Sequence, residues 1–197
     1  MVHIIKSYLN FLWNSKNQHG VHSPFVFDLV TKCFYDKENY PEYAVLKNYR
    51  NLLLENKNTI EVTDFGAGSR VFNSNTRAIN QIAKNAGISS KRAELLFRIV
   101  NYFQPETIFE IGTSLGLATS ALSLGLEAKT NRAKLNENSK VITLEGCPNT
   151  MKIAKSQCEL QNLNNIEFVN TKFEDFLKNP KPETRNPKLI YFDGNHS

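Results

Sequence analysis

Apolar residues recur along this chain in two patterns, which predict helices in its first half and alternating strands and helices in its second. Helical spacing of apolar positions predicts helices over residues 3–15, 25–34, 43–54, 75–87 and 90–103. Beyond residue 107, short apolar runs predict strands at 108–111, 141–145, 166–169 and 189–193, with helices at 115–126, 147–161 and 174–177 between them. A further short strand is predicted at 59–64. Strands that alternate with helices are typical of a parallel sheet with right-handed crossovers, so the predicted fold class is α/β.

These elements predict one α/β domain preceded by a helical extension. Residues 1–90 form the predicted N-terminal extension, and residues 91–197 form the predicted domain. The first helix is amphipathic and its polar face is not strongly basic, which favours packing against the domain or a partner over lying on a membrane. A homodimer through the N-terminal helices would meet that need. Ser23 followed by Pro24 predicts the start of the second helix, with serine as its N-cap.

The stretch Ile108–Ser120 carries the first chemical signal. Its strand breaks at Gly112 and the chain resumes as a helix at Leu117, which is how doubly wound α/β folds build a turn that cradles a phosphate or a cofactor. Glycines let the backbone approach a ligand, and the helix N-terminus offers unpaired N–H groups with a partial positive charge. The spacing is Glu110-x-Gly112-x-x-x-Gly116 rather than Gly-x-Gly-x-x-Gly. A Rossmann-type oxidoreductase that binds a nicotinamide dinucleotide is therefore disfavoured.

A second glycine-rich stretch, Asp64-Phe-Gly-Ala-Gly-Ser-Arg70, competes for the same role. A polar segment follows Arg70 where a helix would be expected, whereas a helix begins directly after Gly116 and a further strand follows it. The stretch from Glu110 to Gly116 is therefore predicted to be the cofactor turn. The Asp64–Arg70 loop is interpreted as a flexible or active-site-lining loop, with ordinary turn chemistry as the simpler explanation.

Acidic residues end two of the later strands. Glu145 ends the strand 141–145, where a carboxylate can accept hydrogen bonds from both hydroxyls of a ribose. It lies farther from the glycines than the usual offset of about 20 residues, and the polar segment 127–139 accounts for the excess as a surface insertion. Capping the helix that opens near Pro148 is the simpler role for this carboxylate. Asp193 ends the last strand and would face the crevice at the carboxyl edge of the sheet.

Three histidines are candidates for a general base, because histidine titrates near neutral pH. His19 and His22 lie just before the second helix and lack a third ligand nearby in the sequence, which favours a structural or substrate-gating role over metal binding. His196 follows Asp193 closely and would lie at the same edge of the sheet.

Composition narrows the classes of function. The chain has 197 residues, 41% of them hydrophobic, and a formal net charge of +5 that lies largely in loops rich in Lys and Asn. Solvated loops explain this charge better than a nucleic-acid surface, which would gather basic residues on one face. Three cysteines without Cys-x-x-Cys spacing are typical of reduced thiols, so a cytoplasmic location is expected. No apolar run approaches the roughly 20 residues of a membrane span.

Three stretches together, Glu110–Gly116, Thr143–Gly146 and Phe192–His196, resemble the motifs of class I S-adenosylmethionine (SAM)-dependent methyltransferases. Within that group the chain looks most like the catechol O-methyltransferase-like branch. It also resembles a set of uncharacterised bacterial methyltransferases with a His-Gly-x-His-Ser-Pro-Phe N-terminus and an Asp-Phe-Gly-Ala-Gly-Ser loop. The resemblance implies a Rossmann-like fold, a parallel sheet flanked by helices, and SAM as the cofactor.

Carried over by position, the resemblance assigns most of the cofactor contacts to the turn after the first strand and to the end of the second. The turn would hold the methionine part of SAM and Glu145 would hold the ribose. The residues in this predicted set are Glu110, Gly112, Thr113, Ser114, Gly116, Glu145 and Gly146.

The resemblance places the adenine and the reacting methyl at the last two strands. Thr171–Glu174 would edge the adenine, with Phe173 as a stacking face, and Asp193 would lie near the methionine amino group and the methyl. Asp193 and His196 are the predicted catalytic residues. In the catechol-type branch the matching aspartate also binds a divalent metal. The further ligands of that metal would follow the last residue of this sequence, so a metal is not supported.

The implied activity is methyl transfer from SAM to a small-molecule acceptor, with oxygen as the expected acceptor atom. Two alternatives stay open. One is a non-catalytic SAM-fold module that binds a partner or a membrane surface through its N-terminal helices. The other is an RNA methyltransferase, although no aromatic-basic platform or Asn/Asp-Pro-Pro-Tyr-like motif is seen. Sheets of this class normally have seven strands, so the sequence is expected to be C-terminally truncated, and this fragment need not be active alone.

Overall fold

The computed structural model describes residues 2–15, 20, 22–63, 65, 72, 74–128, 139–178 and 187–193. Contacts divide the chain into two units, Met1–Glu38 and Asn39–Ser197. The boundary predicted at residue 90 does not coincide with this division, because residues before it share a core with the α/β domain. Tyr49 and Ile79, for example, lie in one buried cluster with Ala118 and Ala121.

The first unit consists of short helices. The helix α1 spans Val2–Asn14, and α2 spans Pro24–Asp28 and continues as a π-helical turn over Leu29–Phe34. The predicted cap is confirmed, since the Oγ of Ser23 accepts a hydrogen bond from the N–H of Val26 at 3.4 Å. The homodimer expected through these helices stays a prediction. Among the described residues of both units, no helix is long and apolar enough to cross a membrane.

The second unit opens with helices and a small hairpin. In chain order the elements are α3 (Glu42–Glu55), β1 (Thr59–Glu61), β2 (Thr76–Ala78), α4 (Ile79–Asn85) and α5 (Ser90–Phe103). Strands β1 and β2 pair antiparallel with each other and form a separate two-stranded sheet. The helix predicted over 75–87 therefore begins only at Ile79, because the residues before it pair with β1. Ser89 caps α5, with its Oγ accepting a hydrogen bond from the N–H of Arg92 at 3.4 Å.

The main sheet in the described part of the chain has four strands, all parallel, as predicted. They are β3 (Thr107–Ile111), β4 (Lys140–Glu145), β5 (Ile166–Asn170) and β6 (Leu189–Phe192). Their order across the sheet is β5-β4-β3-β6. The helices between them are α6 (Leu117–Glu127), α7 (Pro148–Leu160) and α8 (Phe173–Lys178). The fold is thus a Rossmann-like parallel sheet flanked by helices.

The strand β3 is buried on both faces, and its alternation directs side chains to two different cores. Ile108 packs with apolar side chains of α5 and α6, whereas Phe109 and Ile111 pack with Phe176 of α8. Successive side chains of a strand point to opposite faces, so Glu110 shares the face of Ile108 and points toward α6. Because α6 is buried over all residues from Leu117 to Leu126, this carboxyl group is enclosed by protein.

Candidate cofactor site

The strand order places a crevice at the carboxyl end of β3. From β3 the chain first builds β4 and β5 on one side and then returns to place β6 on the other, so the order reverses between β3 and β6. Open α/β sheets bind ligands at such a switch point. Backbone bonds join the strand ends here: the N–H of Gly112 donates to the carbonyl of Leu144 at 3.0 Å, and the N–H of Asp193 donates to the carbonyl of Ile111 at 2.9 Å. The glycine turn and Asp193 therefore meet at one edge of the sheet.

The predicted cofactor turn is a tight turn that needs left-handed backbone. Gly112 has φ 103° and Gly116 has φ 80°, and Ser114 adopts φ 49° between them. Glycine adopts such values without steric cost, which explains its presence at both ends of the turn. The N–H of Gly116 donates to the carbonyl of Thr113 at 2.8 Å, closing the turn just before α6 begins. The backbone can therefore approach a ligand closely at the start of a buried helix.

Glu145 connects this turn to the end of β4. One carboxylate oxygen accepts from the N–H of Ser114 at 2.7 Å, and the other accepts from the N–H of Cys147 at 2.9 Å. Burial raises the pKa of Glu145, and these backbone N–H groups act in the opposite direction. The side chain is half-buried, so each oxygen keeps lone pairs that a ligand hydroxyl can use. The simpler role considered for this acid, capping near Pro148, is also present through the bond from Cys147.

Glu110 is the most unusual group at this edge. Its side chain is fully buried, and one oxygen accepts hydrogen bonds from the hydroxyls of Thr119 and Thr143, both at 2.6 Å. The other oxygen, Oε1, is buried without a hydrogen-bond partner among the described residues. The pKa of Glu110 is raised to about 8: burial is the main cause, the charges of Asp193 and Glu145 add to it, and the hydrogen bonds from the two threonines act in the opposite direction. Oε1 therefore keeps its capacity to accept a hydrogen bond from a ligand donor.

Tyr49 packs against the predicted cofactor turn and forms a hydrogen bond with it. This side chain of α3 is fully buried, and its hydroxyl donates to the carbonyl of Leu115 at 2.9 Å. A Cβ added at Gly116 would lie too close to the Tyr49 hydroxyl and 3.0 Å from the Cβ of Ala154. Helix α3, which the sequence analysis placed in an extension, thus fixes the position of the predicted cofactor turn.

Replacing Tyr49 by phenylalanine is expected to lower the free energy of unfolding by about 1–2 kcal/mol, because the buried carbonyl of Leu115 loses its donor. Tyr43→Phe on the same helix is the matched control, since it removes a half-buried bond of 3.0 Å to Arg98 instead. Urea denaturation of both variants measures the difference. A loss for Tyr49→Phe no greater than that for Tyr43→Phe would contradict the supporting role.

The loop between α4 and α5 also lines the crevice, which the sequence analysis did not foresee. Residues Ala86–Ile88 surround a small cavity together with Thr113, Ser114 and Asp193. Gly87 belongs to this loop. In the structure a Cβ there would lie 2.5 Å from both the carbonyl oxygen of Ala83 and a methyl of Leu117, so glycine permits close packing against the start of α6.

The structure brings most of the predicted site residues together. Glu110, the glycine turn, Glu145, Gly146 and Asp193 all lie at the carboxyl edge of the sheet. Phe173, predicted to stack on the adenine, is half-buried against the core that contains Phe109 and Phe176. Its stacking role stays a prediction.

Several predictions concern residues that the structure does not describe. His19, His196, Asp64 and residues 66–70 lie outside the described residues, and His22 is exposed in the first unit. Among the described residues, no group of three or more His, Cys, Asp or Glu side chains is arranged to hold a metal ion.

No family model matches the sequence, and no curated protein matches it either. Among solved structures, a Podospora anserina methyltransferase with SAH (S-adenosylhomocysteine) bound has a TM-score of 0.56 at 15% identity, covering 92% of this chain and 62% of that one. The chain has a class I methyltransferase fold. An O-methyltransferase from Bacillus cereus in complex with SAH has 28% identity and a TM-score of 0.47, covering 56% of this chain and 47% of that one. This chain therefore spans less than two thirds of the length of either protein.

Proposed function

We propose that this chain binds SAM and transfers its methyl group to a small-molecule acceptor, with oxygen as the acceptor atom. One observation carries the proposal: two acids border the glycine turn, since Glu145 accepts a hydrogen bond from the N–H of Ser114 at 2.7 Å and the N–H of Asp193 donates to the carbonyl of Ile111 at 2.9 Å. A dinucleotide would bring an anionic pyrophosphate to this turn, whereas SAM brings a sulfonium and an ammonium group. The carboxylates of Glu145 and Asp193 favour the cationic ligand.

The residues of the crevice divide the work of holding such a ligand. In this proposal the turn from Gly112 to Gly116 receives the amino-acid part, and its N–H groups and the start of α6 favour a carboxylate there. Asp193 faces the ammonium group, and Glu110, which protein encloses, offers it Oε1 as a hydrogen-bond acceptor. Glu145 receives the ribose hydroxyls, and Gly146 follows it without a side chain. The SAH-bound neighbour with the same fold supports this assignment of the ligand.

Methyl transfer from SAM requires the protein mainly to align the reacting groups. SAM supplies an activated methyl group on a sulfonium, so the residues of this chain have to orient the acceptor, exclude water and accept its proton. Asp193 is exposed at the crevice, where its carboxylate can accept that proton. His196 is the second candidate, on the ground of its residue type alone. The three cysteines are buried thiols outside any disulfide bond, which supports a cytoplasmic location as part of the proposal.

Alanine at Glu145 or at Asp193 is expected to weaken SAH binding by about tenfold or more, because each loses a charge-assisted contact with the ligand. Calorimetric titration with SAH measures the dissociation constant, with NAD(H) as the competing ligand class. Glu159→Ala, which removes an exposed acid on α7, is the control and should bind as the wild type does.

This titration distinguishes a failure of the proposed function from a failure of the site assignment. Binding of NAD(H) but not SAH by the wild-type chain would refute the proposed function. SAH binding that is unchanged in both alanine variants would refute the site assignment alone. Since Glu145 also bonds two backbone N–H groups, urea denaturation of Glu145→Ala is needed to show that the variant is folded at the titration temperature.

A further inference from the structure

The second glycine-rich stretch, Asp64–Arg70, has no role in the site described so far, yet the chain just before it is attached to that site. The N–H of Thr63 donates to the Sγ of Cys147 at 3.4 Å. The side-chain amide of Asn149 donates to the carbonyl of Glu61 at 2.7 Å. Both partners belong to the segment that follows Glu145, so the end of β1 is fixed beside the carboxyl end of β4.

Phe65 extends from this anchored strand onto the glycine that follows Glu145. A Cβ added at Gly146 would lie 2.7 Å and 2.8 Å from two carbons of the Phe65 ring, so the ring occupies the space that a side chain at position 146 would take. The Nζ of Lys172, just after β5, lies 5.1 Å from the centre of the same ring. The phenyl ring therefore lies between the ends of β4 and β5.

The ring is not a core side chain. It is 53% exposed, so its position contributes little apolar burial to folding. A single exposed phenylalanine needs no explanation, but this one covers a glycine that adjoins the carboxylate proposed to hold a ribose. The base of a nucleoside is bonded directly to its ribose, and so it would reach the residues beside Glu145. An open aromatic face at that place suits a purine.

We propose that Phe65 stacks on the adenine of the cofactor. The inference rests on the proposed function and assigns to Phe65 the role that the sequence analysis gave to Phe173. Stacking between an aromatic side chain and a base also tolerates changes in the ligand's amino-acid part. Phe65 should therefore affect SAH and adenosine alike.

The first test compares Phe65→Tyr, Phe65→Leu and Phe65→Ala by calorimetric titration with SAH and with adenosine. Tyrosine keeps the aromatic face and should bind as phenylalanine does. Leucine and alanine should weaken both ligands by about tenfold, within the range measured for base–aromatic stacking. Phe25→Ala, which removes a Phe exposed to a similar degree in the first unit, is the matched control and should leave the affinity unchanged.

The second test reports proximity directly. Trp13 is the only tryptophan in the sequence, so Trp13→Phe combined with Phe65→Trp gives a chain with one fluorophore at position 65. Adenosine should change the emission of this variant, and the Trp13→Phe chain with the native Phe65 is the blank.

The results distinguish this inference from the function on which it rests. Wild-type SAH binding together with unchanged affinity in Phe65→Ala would overturn the role of Phe65 and leave the proposed function intact. Tighter binding in Phe65→Ala would overturn it as well, because the ring would then obstruct the adenine rather than stack on it. Absence of SAH binding by the wild type would overturn both.

Discussion

Alanine at Gly116 is expected to lower the free energy of unfolding by roughly 2–5 kcal/mol. Two costs add. The residue adopts φ 80°, where a Cβ costs about 1–2 kcal/mol. The new methyl would also crowd the Tyr49 hydroxyl and lie 3.0 Å from the Cβ of Ala154 in a buried, packed region, where overpacking costs about 1–3 kcal/mol. Urea denaturation followed by circular dichroism measures the loss.

Gly146→Ala is the matched control for this substitution. Its added Cβ would meet only the ring of Phe65, which is 53% exposed and free to shift, and no positive φ is required there. A loss below about 1 kcal/mol is expected, as for most exposed positions. If Gly146→Ala were as destabilising as Gly116→Ala, the crowding against Tyr49 would not be the cause.

A double-mutant cycle isolates that crowding. In a Tyr49→Phe background the hydroxyl that the new methyl would meet is gone, so Gly116→Ala should cost less there than in the wild type. The part of the cost that comes from the left-handed backbone should persist in both backgrounds. Strictly additive losses would show that the Tyr49 hydroxyl and the turn are not coupled.

The stability of the chain should fall between about pH 4.5 and pH 8 because of Glu110. Its folded pKa is about 8, above the usual 4.5, since burial disfavours the charged form. Below pH 4.5 the group is protonated in both the folded and the unfolded chain. As the pH rises through the window, the unfolded carboxyl ionises first, so the free energy of unfolding drops by about 1.4 kcal/mol per pH unit, or at most about 5 kcal/mol in all. Above the folded pKa, both forms are ionised and the loss stops.

Glu110→Gln is the variant that tests this origin. Its carboxamide oxygen can still accept from the hydroxyls of Thr119 and Thr143, but the side chain has no charge to bury. Urea denaturation at pH 5, 6, 7 and 8 should give a difference between wild type and variant that changes steadily in favour of glutamine as the pH rises. A constant difference would mean that Glu110 does not titrate in this window.

Much of the second unit was predictable because local pattern and tertiary burial agree there. The strand before Gly112 is apolar from Ile108 to Ile111 except for Glu110, and parallel strands are buried on both faces. The helix starts at Ser23 and Ser89 follow from the side-chain chemistry of serine, which is local. The strand predicted at 59–64 is present as β1, but β2 and its pairing with β1 were missed, because pairing of residues 76–78 with 59–61 depends on a partner rather than on propensity.

The candidate site was predictable in its glycines and acids but not in what supports them. Glycine spacing and an acid at a strand end are visible in the sequence, because a turn needs left-handed backbone and a ribose needs acceptors. Tyr49 looks like any core aromatic of an amphipathic helix, since nothing local says that its hydroxyl meets the carbonyl of Leu115. The role proposed for Phe65 likewise depends on its contact with Gly146, which lies 81 residues later in the chain and has no side chain.

The sequence by itself determined the α/β class, the four parallel strands and the chemical types gathered at their ends, because strand burial and turn geometry are encoded within a few neighbouring residues. Only the tertiary structure decided that the carboxyl of Glu110 would be neutral near pH 7. Its neighbours in the sequence are apolar, but the pKa depends on enclosure by α6 and on the charges of Asp193 and Glu145, which come from distant parts of the chain. Desolvation is a property of the packed fold, and a local pattern does not contain it.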